Sequence, residues 1–110
     1  MSMFPNINRR AKYGNRKVTV DGLTFDSAKE ARRWGGLKLL ERAGEITDLR
    51  RQVRYPIVWN GVKVCAYVAD FVYVLDGVEI VEDVKGFKTA MYRLKKKLMK
   101  ACHGVEIHEV

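Results

Sequence analysis

Three ionisable residues stand where two apolar segments of the sequence end or are interrupted: Asp70, Asp83 and Lys85. Asp70 interrupts VKVCAYVADFVYVL, and the other two end VEIVEDVKG; both segments predict strands. The dipeptide Asp76-Gly77 between them favours a two-residue hairpin turn, in which paired residue numbers add up to 153. Asp70 is then directly opposite Asp83, and opposite residues share one face of a sheet.

Two carboxylates paired in this way repel each other when both are ionised, because their Cβ atoms lie about 5 Å apart. A divalent cation that prefers oxygen ligands removes that repulsion. Lys85 shares the face of Asp83, so we expect it at the rim of the same site, whereas Glu82 points to the opposite face and is left outside it. The alternative is a structural salt bridge between Asp70 and Lys85, which would leave the negative charge of Asp83 without a partner.

Turn and helix signals predict the elements that must position these residues. Asp26-Ser27 begins a helix and Gly44 ends it, while Gly35-Gly36 inside it indicates either close packing of another backbone or a local break. The dipeptides typical of hairpin turns are Asp21-Gly22, Asn60-Gly61 and Asp76-Gly77. They predict a first hairpin and an antiparallel meander of residues 47–59, 62–75 and 78–85.

The remaining pattern completes an α/β (α+β) fold, a central mixed sheet with an antiparallel meander flanked by helices. Residues 62–75 are apolar on both faces, which predicts a central strand covered on each side. VEIHEV predicts a last short strand, and we expect Trp34 and Trp59 to be core residues. The second helix precedes His103-Gly104 and has an apolar stripe: Ala90, Met91, Leu94, Leu98 and Ala101.

The charge of the chain favours a polyanionic partner. Lys and Arg number 21 against 13 Asp and Glu, and the formal net charge is +8. We interpret residues 1–16 as a basic N-terminal arm and residues 17–110 as one domain. A basic surface kept for solubility is the alternative to nucleic-acid binding. The residues that we expect to contact DNA are Arg9, Arg10, Lys12, Arg16, Lys17, Lys88, Lys95 and Lys96.

Several classes of protein are disfavoured. No run of 18 apolar residues is present, and no apolar stretch follows the first basic residues as in a secretory signal. Cys65 and Cys102 lack the spacing of a metal knuckle or a redox pair, so we expect reduced thiols in a cytoplasmic protein.

Asp70, twelve residues and then Asp83-x-Lys85 resemble the signature of the PD-(D/E)xK (restriction-endonuclease-like) nuclease superfamily. More closely, the chain resembles a small phage-encoded family within it, through KYGNRK, DGLTFDSAKEARR, GEITDLRRQ, YVADFVY and VEDVKG. Ala69 stands where the signature has proline, and Asp83 replaces the commoner glutamate. Both departures are accepted variants in the superfamily.

The resemblance implies a metal-dependent endodeoxyribonuclease. Asp70, Asp83 and the Val84 carbonyl would bind Mg²⁺ or Mn²⁺, and Lys85 would orient or deprotonate the attacking water, or stabilise the phosphate. Glu30 would contact the metal through water, or a second metal. It further implies cutting of branched DNA or a Holliday junction, a homodimer, and the cytoplasm of a bacterial host. A non-catalytic DNA-binding module and a nuclease subunit of a larger phage or transposon-type complex are alternatives.

Two further residues are candidates for the site. Gln52 in LRRQ is a candidate polar member of the site. Glu30 has a structural alternative, because Ser27-x-x-Glu30 is a capping box that satisfies the start of a helix. Its position on the same helix face as Trp34 and Leu37 favours a functional role, since an unused carboxylate is rare on an apolar face.

Overall fold

The computed structural model describes residues 16–84 and 88–110. The elements are β1 Val18–Val20, β2 Leu23–Phe25, α1 Ala28–Arg42, β3 Thr47–Trp59, β4 Val62–Leu75, β5 Val78–Asp83, α2 Ala90–His103 and β6 Ile107–Glu109. This order confirms the predicted mixed α and β fold. Four residues of the predicted site and DNA contacts lie outside the described residues: Arg9, Arg10, Lys12 and Lys85.

The three predicted hairpin turns are all present. Their first residues, Asp21, Asn60 and Asp76, have φ angles of 52°, 52° and 51°. The glycines that follow have φ angles of 78°, 76° and 78°. Positive φ at both central residues is typical of the two-residue turn whose twist matches that of the paired strands. The turns therefore determine how the strands pair.

The strands form two sheets, β1 with β2 and a second sheet in the order β3-β4-β5-β6. The strands β3, β4 and β5 are the predicted antiparallel meander, while β6 joins β5 in parallel after the α2 crossover. The β4–β5 pairs run from Leu75↔Val78 to Phe71↔Glu82, and each adds up to 153. The predicted register is therefore confirmed up to the pair that precedes Asp70 and Asp83.

The ends of α1 follow the predicted signals. At its start, the Glu30 amide donates to Ser27 Oγ at 3.1 Å. At its end, Gly44 has a φ of 82°, and the Glu45 amide donates to the Leu40 carbonyl at 2.9 Å. This is the Schellman arrangement, which satisfies carbonyl groups that the helix leaves without partners.

The two glycines inside α1 are not explained by either expectation. The helix continues through Gly35 and Gly36, so there is no local break. Among the described residues, a Cβ built on either glycine meets no heavy atom within 4 Å beyond its own helical turn and chain neighbours. Each glycine therefore lowers helix propensity without allowing a close contact there.

The buried face of α2 differs from the predicted stripe. Its buried residues are Tyr92 and Met99, whereas Met91 and Leu94 are 59% and 50% exposed. The difference arises because the stripe was assigned from aliphatic residues, while the large ring of Tyr92 buries more apolar area than they do. The helix begins after Thr89, whose Oγ1 accepts from the Tyr92 amide at 3.0 Å, and Gly104 caps its end with a φ of 66°.

The main core lies between the second sheet and α2. Its buried members are Ile57, Tyr67, Ala69, Val72, Val81, Tyr92, Met99 and Ile107. Complete coverage of β4 was a wrong prediction, because Val62 and Val64 are 63% and 61% exposed. Trp59 is also outside the core, at 66% exposed. The reason is that β5 pairs only with the last part of β4, so the tip of the β3–β4 hairpin extends beyond it.

The described residues divide into two compact units between Gly36 and Leu37. The first contains β1, β2 and the start of α1, and the second contains the rest of α1, the four-stranded sheet and α2. Within the described ranges, no helix combines the length and the apolar character needed to cross a membrane. Cys65 and Cys102 are free thiols, as predicted.

Replacing Gly35 by alanine is expected to raise the free energy of unfolding by up to about 1 kcal/mol, because alanine is the better helix former. Urea denaturation followed by circular dichroism measures the change. Gly104→Ala is the matched control: the φ of Gly104 is 66°, so alanine there should lower stability by about 1 kcal/mol. A loss of stability in Gly35→Ala would show that the glycine is needed for a contact.

Candidate functional site

Asp83 is the last residue of β5 and is almost completely buried, with 1% of its surface exposed. Its Oδ2 accepts a hydrogen bond from the Tyr67 hydroxyl on β4. Its backbone carbonyl accepts from the Val110 amide, which follows β6, at 2.9 Å. Both neighbouring strands therefore hold Asp83, and its carboxylate has a defined position.

Asp70 lies on β4 directly before Phe71, and Asp83 directly follows Glu82, so both adjoin the last β4–β5 register pair, Phe71↔Glu82. Its Oδ2 accepts from the Val84 amide at 2.9 Å. The charges of Asp70 and Asp83 both act on two tyrosines. Burial is the main cause that raises the pKa of Tyr67 and Tyr92, hydrogen bonds to carboxylates add to it, and the two aspartate charges raise each pKa further. The structure thus brings both predicted carboxylates to one end of the sheet.

The alternation of faces along β4 is broken at this point. Tyr67 and Tyr73 are an even number of residues apart, so a regular strand would place them on one face. They nevertheless donate to Asp83 and Glu82, neighbours on β5 that point to opposite faces. Asp70 lies between the two tyrosines, at or beside the break.

Regular alternation along β4 would place Asp70 on one face with Val68 and Val72. In the structure Val72 shares the core with Ala69 instead, while Val68 is 39% exposed. Because of this break, Asp70 lies beside the buried end of β5, between residues of β4 that do not alternate regularly between the two faces of the sheet.

Gln52 occupies the corresponding position on β3. The pairs Arg51↔Phe71 and Val53↔Ala69 flank it, so it lies across from Asp70. Its φ is 55°, a left-handed conformation that costs energy for a residue other than glycine. Strained backbone of this kind concentrates at functional sites. The position of Gln52 therefore agrees with its being a candidate site residue.

Glu82 lies on the other face of β5, as alternation predicts. It is 1% exposed and accepts from the Tyr73 hydroxyl. Neighbouring residues thus carry two buried carboxylates, each with its own tyrosine donor, and only the one at Asp83 is beside Asp70.

Glu30 makes the contacts of its structural alternative. Its Oε1 accepts from the Asp26 amide at 3.3 Å, and its own amide donates to Ser27. Glu30 is also 4% exposed, so the carboxylate is buried as well as engaged at the helix start. Glu30 belongs to the first compact unit, whereas Asp70 and Asp83 belong to the second.

A third carboxylate, Glu109 on β6, lies next to the aspartate pair. Glu109 is the β5–β6 register partner of Asp83, and its Oε2 accepts from the Tyr92 hydroxyl at 2.8 Å. Lys88 and Lys96 are 2.9 and 3.2 Å from its oxygens. The hydrogen bond from Lys88 is the largest cause that lowers the pKa of Glu109 to about 2, followed by the one from Tyr92.

The other residues expected to contact DNA are on the surface. Arg16 and Lys17 are exposed, and Lys17 forms an exposed ion pair with Asp26 at 3.0 Å. Lys95 is half-buried on α2 and is separate from the ion pairs of Lys88 and Lys96. The predicted contacts therefore divide into an exposed N-terminal pair and a group on and before α2.

The donor set at Asp70 and Asp83 fits a small hard cation. Mg²⁺ is commonly held by one or two carboxylates, with water and substrate phosphate completing its octahedron. Two carboxylates and the Val84 carbonyl match that pattern. Across residues 16–84 and 88–110, no group of three or more His, Cys, Asp or Glu is arranged to hold a metal. Water and substrate would thus supply the remaining ligands.

Comparison with models of known protein families gives a match. The model of a family described as "Protein of unknown function (DUF1064)" matches residues 10–108. The chain belongs to the DUF1064 family. The match includes β1 to α2 and the site residues Gln52, Tyr67, Asp70, Asp83 and Tyr92, and it ends one residue before Glu109. No curated protein matches the chain.

Sequence reasoning missed three residues of the site in this DUF1064 member: Tyr67, Tyr92 and Glu109. Tyr67 stands three residues before Asp70, which regular alternation places on the opposite face. Glu109 reaches Asp83 only through the parallel β5–β6 pairing. The available signal was the single tyrosine on the buried side of α2, since a buried hydroxyl requires an acceptor.

The stabilisation that Glu109 supplies should depend on pH. Its pKa is lowered from 4.5 to about 2 in the folded protein, so the contribution is complete above pH 4.5 and is lost as the pH falls to about 2. Glu109→Gln should therefore be less stable than the wild type at pH 7, and the difference should shrink between pH 4.5 and about 2. Denaturant titrations at several pH values measure it. A difference independent of pH would contradict this origin.

Proposed function

We propose that this protein is a metal-dependent endodeoxyribonuclease of the PD-(D/E)xK type, which hydrolyses phosphodiester bonds in DNA. The observation that carries the proposal is that Asp70 accepts from the Val84 amide at 2.9 Å, next to the buried Asp83, directly beyond the last β4–β5 register pair, Phe71↔Glu82. The net charge of +8 supports a polyanionic substrate. The order of α1, the three-stranded meander, α2 and β6 also supports it, because the superfamily core has this order.

In this proposal the described residues mainly bind the metal ion and orient its ligands. Asp70, Asp83 and the Val84 carbonyl bind Mg²⁺ or Mn²⁺, which when bound would lower the pKa of a water ligand and neutralise charge on the scissile phosphate. The Tyr67 hydroxyl, whose pKa is raised by burial, stays protonated and fixes the Asp83 carboxylate. Lys85, outside the described residues, is proposed to orient or deprotonate the attacking water.

The proposed substrate is branched DNA, such as a Holliday junction. A domain of this size offers little surface for reading a long sequence, whereas its cations suit backbone contacts that follow shape. The proposal includes a homodimer, because a symmetric pair of sites can cut both strands of a junction, and action in the cytoplasm of a bacterial host.

A non-catalytic DNA-binding module is the second candidate. The observation that favours it is the net charge of +8, which suits a polyanionic partner whether or not the protein cuts it. Such a module would keep the basic surface and bind DNA without cutting it.

The central test compares Asp83→Asn with Glu82→Gln. Each substitution removes one buried negative charge and keeps an oxygen that accepts from its tyrosine, but only Asp83 faces Asp70. We expect the wild type and Glu82→Gln to cut a four-way junction in Mg²⁺ or Mn²⁺. We expect Asp83→Asn to lose at least about 100-fold in rate, because one of two carboxylate ligands is gone. Gel electrophoresis of labelled junction and of supercoiled plasmid measures the cutting.

The controls separate the candidates. Cleavage that survives both chelator and Asp83→Asn would contradict the metal mechanism. Binding of the junction without cutting in any metal would favour the DNA-binding module. Paired, symmetric cuts in the junction would support a dimeric enzyme.

Glu30→Gln separates catalysis from helix capping. Glutamine also serves in a capping box, so the free energy of unfolding should change by less than about 0.5 kcal/mol. If Glu30 supports the metal through water, the cleavage rate should fall about tenfold or more. Single-turnover cutting and urea denaturation measure the two quantities on the same preparation. Unchanged cutting would assign Glu30 to the helix cap alone.

A further inference from the structure

A pocket of about 390 Å³ lies between α2 and β6. Five cations line it: Lys88, Arg93, Lys96, Lys97 and Lys100. The carboxylates in the lining are Glu106 and Glu109. The whole pocket is within the second compact unit. Its size is within the range of small-ligand sites, and its lining combines apolar surface, including Val105 and Ile107, with five cations against two carboxylates.

The two carboxylates neutralise only part of this charge. Glu109 pairs with Lys88 and Lys96, and Glu106 lies 3.4 Å from Lys100. The Arg93 guanidinium donates to the Lys88 carbonyl at 3.3 Å, and among residues 16–84 and 88–110 it has no acidic partner. In the described part of the chain, Lys97 has no acidic partner. The pocket therefore holds an excess of positive charge that an anionic ligand would balance.

Only part of the lysine run Lys95 to Lys97 on α2 lines this pocket. Positions 93, 96, 97 and 100 line it and have the spacing of one helix face, whereas Lys95 does not line it. A basic helix face kept only for solubility would make no distinction among Lys95, Lys96 and Lys97. The distinction supplies a matched control within three consecutive residues.

The pocket adjoins the carboxylate site. Glu109 lines the pocket and is also the register partner of Asp83, and the Tyr92 hydroxyl donates to it at 2.8 Å. An anion in the pocket would thus be neighbour to a phosphate held at Asp70 and Asp83.

We infer that the pocket between α2 and β6 binds a phosphate group of the nucleic-acid backbone, next to the phosphate at the aspartate pair. Naming the nucleic acid rests on the proposed function, whereas the affinity for phosphate follows from the pocket itself. Arg93 and Lys97 are the main contacts, and Glu109 keeps Lys88 and Lys96 in place at its edge.

The test measures equilibrium binding of a fluorescein-labelled duplex in chelator, where no metal-dependent cutting takes place. Lys97→Gln is expected to weaken binding about fivefold, and to reduce the slope of log affinity against log salt by about 0.9, the value for one phosphate contact. Lys95→Gln, the same change two positions away, should weaken binding and reduce the slope clearly less than Lys97→Gln, because Lys95 does not line the pocket. A parallel titration with inorganic phosphate at constant ionic strength should displace the duplex from the wild type more readily than from Lys97→Gln.

The possible outcomes distinguish the proposed phosphate site from its alternatives. Equal effects of Lys95→Gln and Lys97→Gln would overturn the site, because the helix would then act as a diffuse basic surface. Binding of inorganic phosphate that depends on Lys97, together with duplex affinity that does not, would overturn the assignment to nucleic acid. Since the assay contains no divalent cation, a failure of cleavage leaves this result intact, and a failure here leaves the metal mechanism intact.

Discussion

Two neighbouring carboxylates buried on opposite faces of one strand impose the main constraint on this fold. Glu82 and Asp83 are each 1% exposed, and an ionised carboxylate loses several kcal/mol of hydration when it is buried without partners. Each receives a hydrogen bond from a tyrosine of β4. Since those tyrosines must serve opposite faces, the alternation of β4 breaks between them, and the break is where Asp70 lies. The geometry of the candidate site therefore depends on how the two buried carboxylates of β5 obtain their hydrogen bonds.

Charge changes in sign from the aspartate pair to the surface of α2. Asp70 and Asp83 form an acidic end of the sheet, Tyr92 and Glu109 lie next to it, and cations follow from Lys88 onwards. Adjacent acidic and basic regions suit a ligand that brings both a metal and phosphates. The lowered pKa of Glu109 keeps it ionised at every physiological pH, so the lysines around it remain ordered while other cations are available to a ligand.

The predictable part of this structure is local. Dipeptides such as Asp76-Gly77 specify their own turn, and a two-residue turn determines the register of the strands it joins, so the β4–β5 pairs were predicted correctly as far as Phe71↔Glu82. Features that depend on distant contacts were not accessible. The strand β6 meets β5 only after the α2 crossover, and the break in β4 is a response to groups on another strand. Trp59 was misplaced because the length of β5, not its own hydrophobicity, decides which part of the hairpin is covered.

The parallel pairing of β6 has a kinetic consequence. The hairpins β1–β2, β3–β4 and β4–β5 close over two-residue turns and need no distant chain, so they can form within microseconds. The β5–β6 pairs join residues such as Val81 and Ile107 across an intervening helix, and such non-local contacts form late. Asp83 and Glu109 therefore meet only in the last stage of folding. A folding chain in which β6 has not yet docked would have the meander formed, but the edge of β5 that carries Asp83 would still lack its parallel partner.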